Sequence, residues 1–376
     1  MIEVEDSVKK ADKMSKKGKV VVAMSGGVDS SLSAALLKEE GYEVIGVTMR
    51  LWPQVDTEQA PLNRSCCSLE GADDARRVCQ ILDIPFYLLN FEREFQACVI
   101  DYFCQEYLRG RTPNPCLACN RFVKFDFLLK KAMALGANFM ATGHYARVDR
   151  SNGAYRLLKG VDTKKDQSYA LYMVTQQQLK HLLLPMGHLR KADARRMAAD
   201  RGLPVADKAD SQEICFITEG DYRKFMALKA SQLPGQIEDS EGRVLGYHKG
   251  IANYTVGQRR GLGIAVAKPM YVLRIDVAGN KVVVGTEDQL LSYGAVVTDV
   301  SFVSGIAPPR LRSGPMDVTV KIRYKAPEVA ATLHYSDDKV EVRFYQPQKA
   351  VTPGQAVVFY RGDVVLGGGI IEDEIP

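Results

Sequence analysis

Two groups of residues in this chain have the types and spacing for chemistry. The first is Ser25-Gly26-Gly27-Val28-Asp29-Ser30. It follows the apolar run Lys19–Met24 and precedes Leu32, Ala35, Leu36 and Leu37 at helical spacing. A strand, a glycine turn and a helix start, in that order, cradle an oxyanion. Glycine lets backbone N–H groups turn inward. The helix N-terminus adds unpaired donors and a partial positive charge, and serine hydroxyls add hydrogen bonds. The string is neither Gly-x4-Gly-Lys-Ser/Thr nor Gly-x-Gly-x-x-Gly. The plain alternatives are a tight turn for Gly-Gly and a simple N-cap for Asp29.

The second group is the cysteines. There are eight, at 66, 67, 79, 98, 104, 116, 119 and 215. Eight in a chain of this length are too few for a disulfide framework, so each is a small buried hydrophobe or a reactive group. Residues 111–121 read Arg-Thr-Pro-Asn-Pro-Cys-Leu-Ala-Cys-Asn-Arg. The two prolines forbid helix before Cys116 and the amphipathic pattern starts just after it. Cys119 is therefore expected in or near the first turn of a helix, where free N–H groups and nearby Arg111, Arg121 and Lys124 favour thiolate, the nucleophile of sulfur chemistry. Half a zinc site, a redox pair, an iron–sulfur site with Cys215 and ordinary core packing stay open at this point. Cys79, Cys98 and Cys104 fall on or beside apolar helical faces and read as packing. Cys66-Cys67 is unassigned.

The elements that must hold these groups alternate. Strand signals at 19–24, 44–49, 84–91 and 138–142 are separated by helical patterns at 30–40, 72–82, 94–108 and 122–135. This alternation predicts an α/β fold with a doubly wound parallel sheet. After about residue 217 the texture changes. Residues 221–229 predict one short helix, a Gly-rich stretch runs to about 285, and the rest is strand-like with regular turns, which predicts a small β-barrel. Val318–Tyr324 is the clearest alternation there. It puts Arg323 on one strand face with Thr319, Lys321 and Lys325, a cationic stripe suited to phosphate or, more simply, a solvated face.

The chain has 376 residues, 46% hydrophobic and 25% charged, with a net charge of +5. That length favours two or three domains, and the composition excludes collagen, disorder and a disulfide scaffold. The mild basic excess permits a polyanionic partner without demanding one. No apolar run approaches the roughly 18 residues of a membrane span. The acidic N-terminus has no apolar core, so it reads as neither secretory signal nor transit peptide, and the cytoplasm is the default location.

The full Ser-Gly-Gly-Val-Asp-Ser string resembles the pyrophosphatase (PP) loop of enzymes that split ATP into AMP and pyrophosphate. Further strings agree in order: Gly-Arg-Thr-Pro-Asn-Pro at 110–115, Cys-Asn at 119–120, Ala-Thr-Gly-His-Tyr at 141–145 and Lys-Asp-Gln-Ser-Tyr at 165–169. They continue with Ile-Cys-Phe-Ile at 214–217, Val-Gly-Gln-Arg-Arg-Gly-Leu-Gly at 256–263, Val-Lys-Ile-Arg-Tyr at 320–324 and Leu-Gly-Gly-Gly-Ile-Ile at 366–371. Together they resemble the tRNA-specific 2-thiouridylase family. The resemblance implies an ATP-binding thiolation domain over 1–217, a small central domain over 218–285 and a tRNA-contacting β-barrel over 286–376. It implies ATP along Ala23, Met24, Ser25, Gly26, Gly27, Val28, Asp29 and Ser30, beside Met49 and Gly143, with Asp29 helping to hold Mg²⁺. Asn114, Pro115 and Cys116 would meet the target base. Lys165, Asp166, Gln167, Arg323 and Tyr324 would meet tRNA.

In the mechanism so implied, Cys215 takes a sulfane sulfur from a donor protein and becomes a persulfide. Uridine O2 attacks the α-phosphorus of ATP. Sulfur then displaces AMP from C2, directly or after Cys119 frees it as hydrosulfide, and Cys119 and Cys215 end as a disulfide. Some members of the family carry Asp where this chain has Cys116. That departure leaves three cysteines, 116, 119 and 215, that could hold a [4Fe–4S] cluster. Two other classes compete. A small-molecule ligase with the same loop would need no paired cysteines, and a non-catalytic RNA-binding or sulfur-relay protein would need no complete phosphate loop.

Overall fold

A computed structural model describes residues 17–51, 69–210, 214–217, 221–229 and 233–376. Cys66-Cys67 and Ser211–Glu213 lie outside these. The chain packs as two compact units. One takes the residues up to 93 with 122–168 and 177–216. The other takes 94–121, 169–176 and 217–376.

The first unit is built on a parallel sheet. Its strands are β1 (Lys19–Ala23), β2 (Glu43–Arg50), β3 (Phe86–Asn90) and β4 (Phe139–Ala141), an antiparallel hairpin β5 (Ala146–Asp149) and β6 (Arg156–Lys159) beside them in sequence, and β7 (Leu182–Leu183). The sheet order is β3-β2-β1-β4-β7, and every neighbour is parallel. Val20, Val21 and Val22 of β1 are fully buried, as a central strand covered on both faces requires. The helices Val28–Glu39, Leu69–Ile81 and Lys191–Asp200 supply Ala34, Ala35, Leu37, Ala75, Val78 and Ala198 to the core against it. Cys79 is a packing residue here. A Cβ on Gly46 of β2 would stand 2.4 Å from its Sγ, and burial pushes its thiol up to about 11. The strand order reverses direction at β1 and β4, so the carboxyl ends of those two strands form the switch point where open α/β sheets bind ligands.

The second unit contains what the sequence left as a Gly-rich stretch. It is a four-stranded sheet of β8 (Gly235–Asp239), β9 (Val244–His248), β10 (Tyr271–Asp276) and β11 (Lys281–Gly285), in the order β10-β11-β8-β9. Ile237, Val272, Val282 and Val284 fill its core. Beyond it, β12 (Leu291–Phe302), β13 (Met316–Lys321), β14 (Val329–Ser336), β15 (Lys339–Lys349), β16 (Ala356–Arg361) and β17 (Val364–Ile375) run in the order β12-β15-β14-β13-β16-β17. β17 also pairs with β12, so the six close into a barrel, which removes the exposed edges of an open sheet. Val297, Val318, Val320, Leu333, Val342, Val357 and Phe359 fill it.

One strand expectation is corrected. β13 stops at Lys321, opposite Val358 of β16. Residues 322–328 form a loop before β14, with Ala326 N donating to Arg323 O at 3.1 Å. Pro327 has no N–H to continue the ladder. Arg323 and Tyr324 are therefore turn residues, and the cationic stripe of Thr319, Lys321, Arg323 and Lys325 does not lie on one strand face.

Candidate functional site

The phosphate loop sits at the carboxyl end of β1. Gly26 has φ +69°, and a Cβ there would stand 2.1 Å from Gly71 O, so only glycine fits. Gly27 is the N-cap of helix Val28–Glu39 and supplies no capping side chain, which leaves helix-start N–H groups for an incoming oxyanion. The serines brace the loop from within. Ser25 N donates to Ser30 Oγ at 3.1 Å, and Ser30 Oγ donates to Gly27 O at 3.2 Å. The Ser30 hydroxyl thus braces the loop itself. Met24 N donates to Val47 O at 2.7 Å, and Thr48 Oγ1 donates to Met24 O at 2.9 Å. Met49 follows on β2 and is buried. Gly143, just past β4, is brought to the loop: a Cβ on it would stand 2.7 Å from Ser30 N.

Asp29 opens a chain of alternating charge that the motif strings alone did not reveal. Lys191 Nζ reaches both Asp29 oxygens, at 2.8 and 2.7 Å, and Asp210 Oδ1 at 2.8 Å. Lys165 Nζ donates to Asp210 Oδ2 at 2.7 Å, and Arg195 to Asp210 Oδ1 at 2.9 Å. Burial works against the Asp210 charge, but hydrogen bonds from Lys165 and Lys191 outweigh it and bring its pKa down to about 2. Tyr145 donates its hydroxyl to Asp29 at 2.7 Å. Burial and that neighbouring carboxylate push the phenol far up, so it remains a donor. His144 shares a 2.7 Å hydrogen bond with Thr142 Oγ1. Burial, then Lys124, hold its imidazole well below the usual range, in the neutral form. The sequence reading singled out none of Lys191, Arg195 and Asp210, and met Tyr145 only within the string at 141–145. The structure marks Lys191 as unusual: it is the first residue of helix Lys191–Asp200, where the macrodipole disfavours a cation, and it is only 8% exposed.

The residues matched to tRNA contact in this unit are already engaged. Lys165 holds Asp210. Asp166 is buried and accepts from Gly160 N, Ser168 N and Ser168 Oγ at 2.9, 3.1 and 2.9 Å. Gln167 exchanges hydrogen bonds with the Tyr145 backbone, at 3.0 Å to its Oε1 and 2.8 Å from its N–H. Asp166 and Gln167 shape the turn that carries Lys165. Cys215 also belongs to this unit and is partly exposed.

The cysteine loop belongs to the second unit. Asn114 is extended, its side chain accepts from Cys116 N at 3.1 Å, and Pro115 takes the first helical position, as N-cap chemistry and a fixed φ dictate. Cys116 is exposed and Cys119 is 9% exposed. Counting from Pro115, Cys119 opens the second turn rather than the first. From it the helix widens into π-type turns over Cys119–Leu128, a geometry often found at functional sites. Asn120 Nδ2 donates to Ala170 O at 2.9 Å, and Arg121 pairs with Asp299 through both guanidinium ends. The Tyr324 ring lies 5.9 Å from that of Tyr169, and Arg323 donates to Lys349 O at 3.2 Å.

A glycine loop at the switch point of a parallel sheet, joined to two β modules, defines an HUP-type domain with a middle barrel-like module and a closed barrel. Family profiles agree. One described as a tRNA methyl transferase HUP domain matches residues 18–219, a tRNA methyl transferase PRC-barrel domain matches 223–286, and an aminomethyltransferase beta-barrel domain matches 293–371. The tRNA-specific 2-thiouridylase MnmA of Moorella thermoacetica is 54% identical over 94% of this chain and 99% of its own length. That of Acetivibrio thermocellus is 53% identical over 96% of this chain and 100% of its own. The chain belongs to the tRNA-specific 2-thiouridylase family. The solved structure of NMN synthetase from Francisella tularensis overlaps 52% of this chain and 67% of its own at 17% identity, with a TM-score of 0.33, too loose a likeness to carry an argument. Among the described residues, no helix is long and apolar enough to cross a membrane.

Proposed function

We propose that this chain is a cytoplasmic, ATP-dependent sulfurtransferase that thiolates C2 of the wobble uridine of tRNA. Residues 1–217 would form the ATP-binding thiolation domain, 218–285 the central domain and 286–376 the tRNA-contacting barrel. The observation that carries the reading is the glycine loop at the helix start, closed over by Gly143, in a chain whose relatives bear the thiouridylase name.

The first step forms a bond from uridine O2 to the α-phosphorus of ATP as the N3 proton leaves. The α–β phosphoanhydride breaks, and pyrophosphate takes the electron pair. Ala23–Ser30 hold the phosphates by backbone donors, with Met49 beside the nucleoside. In the second step, the terminal sulfur of a Cys215 persulfide, supplied by a donor protein, attacks C2. The C2–O2 bond breaks and AMP departs. Cys119 thiolate attacks the inner persulfide sulfur, which leaves 2-thiouridine and a Cys119–Cys215 disulfide. Alternatively, Cys119 attacks first and frees hydrosulfide, which then attacks C2. Either way, an external thiol returns two electrons to the disulfide. Asn114, Pro115 and Cys116 flank the base, which must leave its stack to react. Lys165, Asp166, Gln167, Arg323 and Tyr324 would meet or position the RNA.

The Asp29 carboxylate keeps 30% of its side-chain exposure beside the loop and is a hard oxygen ligand of the kind Mg²⁺ takes; Lys191 reaches both its oxygens, so the ion would take the place of that ammonium. The ion there would neutralise charge on the departing pyrophosphate. A [4Fe–4S] cluster would take Cys116 and Cys119 of the second unit with Cys215 of the first as its three protein ligands. No step is routed through a cluster.

The test follows radiolabelled ATP with and without unmodified tRNA. AMP and pyrophosphate that appear only with tRNA support the reading. AMP formation stimulated by a small carboxylate or ureido compound instead would make the chain a ligase.

A further inference from the structure

Within the second unit, the loop that carries the cysteines is tied down just before them. Thr112 N donates to Pro353 O at 2.8 Å, and Gln355 Nε2 donates to Thr112 O at 2.8 Å. Both backbone groups of Thr112 are thus taken by one turn of the barrel, between β15 and β16. Gly354, at the centre of that turn, has φ +90°, and a Cβ on it would stand 2.8 Å from Thr112 N. The turn is itself pinned to β17: Gly354 N donates to Ile371 O at 2.9 Å, and Ile371 N donates to Gln355 O at 2.8 Å. One residue earlier, Arg111 donates to Glu106 Oε2 at 2.8 Å and to Ile371 O at 3.1 Å. Glu106 is only 6% exposed, and a carboxylate that deep is held in place by its partner.

We propose that the barrel turn Pro353–Gln355, with Glu106 and Arg111, is a clamp that fixes the position of the loop Asn114–Cys119. Gly354, Gln355 and Glu106 are positioning residues. They touch no reacting atom in this account and act through the backbone of Thr112 and the side chain of Arg111. The barrel then has a second task beside RNA contact. Asn114 starts the cysteine helix only two residues past Thr112, so a slip at Thr112 passes to Cys116 and Cys119 with little chain to absorb it. The proposal rests on the reading of Cys119 as the reacting thiol.

Two variants test it. Gly354→Ala pushes a methyl against Thr112 N. Gln355→Met keeps length and volume but removes the donor, and it stands if the first variant misfolds. Iodoacetamide labelling, read cysteine by cysteine by mass spectrometry, reports on Cys119. Cys79, in the sheet core, serves as the gauge of global loosening. Single-turnover thiolation and tRNA binding are measured on the same preparations. The clamp predicts that Cys119 labels about tenfold faster with Cys79 unchanged. Thiolation slows by about 10- to 100-fold, the scale of a misplacement of about 1 Å, while the tRNA Kd moves less than about threefold. Wild-type labelling of Cys119 in both variants overturns the proposal. So does a rise in Cys79 labelling that keeps step with Cys119, or a loss confined to tRNA affinity. If the wild type thiolates no tRNA, the functional reading fails by itself, and the labelling still decides whether the clamp exists.

Discussion

Lys191 shows how little of a site a motif can contain. Its ammonium directs its donors to two carboxylates, Asp29 and Asp210, and neither the glycine loop nor the cysteine loop includes it. Replacing it with Met leaves two acidic groups close together without the cation between them. Breaking a fully buried pair costs about 3–5 kcal/mol, and these carboxylates keep some exposure, so we expect about 2–3 kcal/mol in urea unfolding of Lys191→Met. A loss under about 0.5 kcal/mol, the level of an exposed pair, would contradict the buried reading. Asp210 adds a pH signature. Its folded pKa is about 2 against 3.8 for the ordinary group. The unfolded chain therefore binds this proton first as pH falls, and the stability it contributes is full above 3.8 and lost between there and about 2. The difference in stability between wild type and Asp210→Asn should shrink over that window. A difference that stays constant through it would mean that Asp210 is not ion-paired in solution.

At the scale of elements, the alternating β and α signals of the first 140 residues were legible because each buried strand is a short apolar run closed by glycine or a polar turn. The run of three valines in β1 and the helix behind the glycine loop needed only local rules. What local rules could not give was association. Gly143 lies far from Ser30 in sequence, and only the parallel pairing of β1 with β4 brings it to the loop. The sheet of β8 to β11 was illegible because its strands are only five or six residues long and Gly235, Glu238, Asp239, Gly246 and Arg274 fall within them. The end of β13 was misjudged because alternation continues through Ile322 and Tyr324 after the pairing partner has run out. The prediction at this scale concerns Gly143→Ala. Its methyl would meet Ser30 N at 2.7 Å and the Asp29 side chain at 2.9 Å. We expect ATP affinity, measured by calorimetry, to fall by about tenfold or more, with the fold retained by circular dichroism. The scale is that of about 1.4 kcal/mol for each factor of ten. Wild-type affinity would show that nucleotide does not use this loop.

For the whole molecule, the phosphate loop belongs to one unit and the cysteine loop to the other. The strings that suggested this were legible in order along the chain. Their grouping was not, because residues 94–121 leave the sheet domain and fold with the barrel. The central claim is tRNA thiolation that needs ATP and, from a persulfide donor, Cys119. The most direct measurement incubates anaerobically purified protein with ATP, Mg²⁺, sulfide and unmodified tRNA, then digests the RNA and detects 2-thiouridine by mass spectrometry. Cys119→Ser and Cys215→Ser are run beside the wild type. The same set is run with a persulfide-loaded donor protein in place of sulfide. The account predicts 2-thiouridine at the wobble position with wild type from either sulfur source and none without ATP. From the persulfide donor it predicts none in Cys119→Ser or Cys215→Ser, and free sulfide restores product in both. Full thiolation by Cys119→Ser from the persulfide donor, or none by wild type with ATP and either sulfur source present, would contradict it.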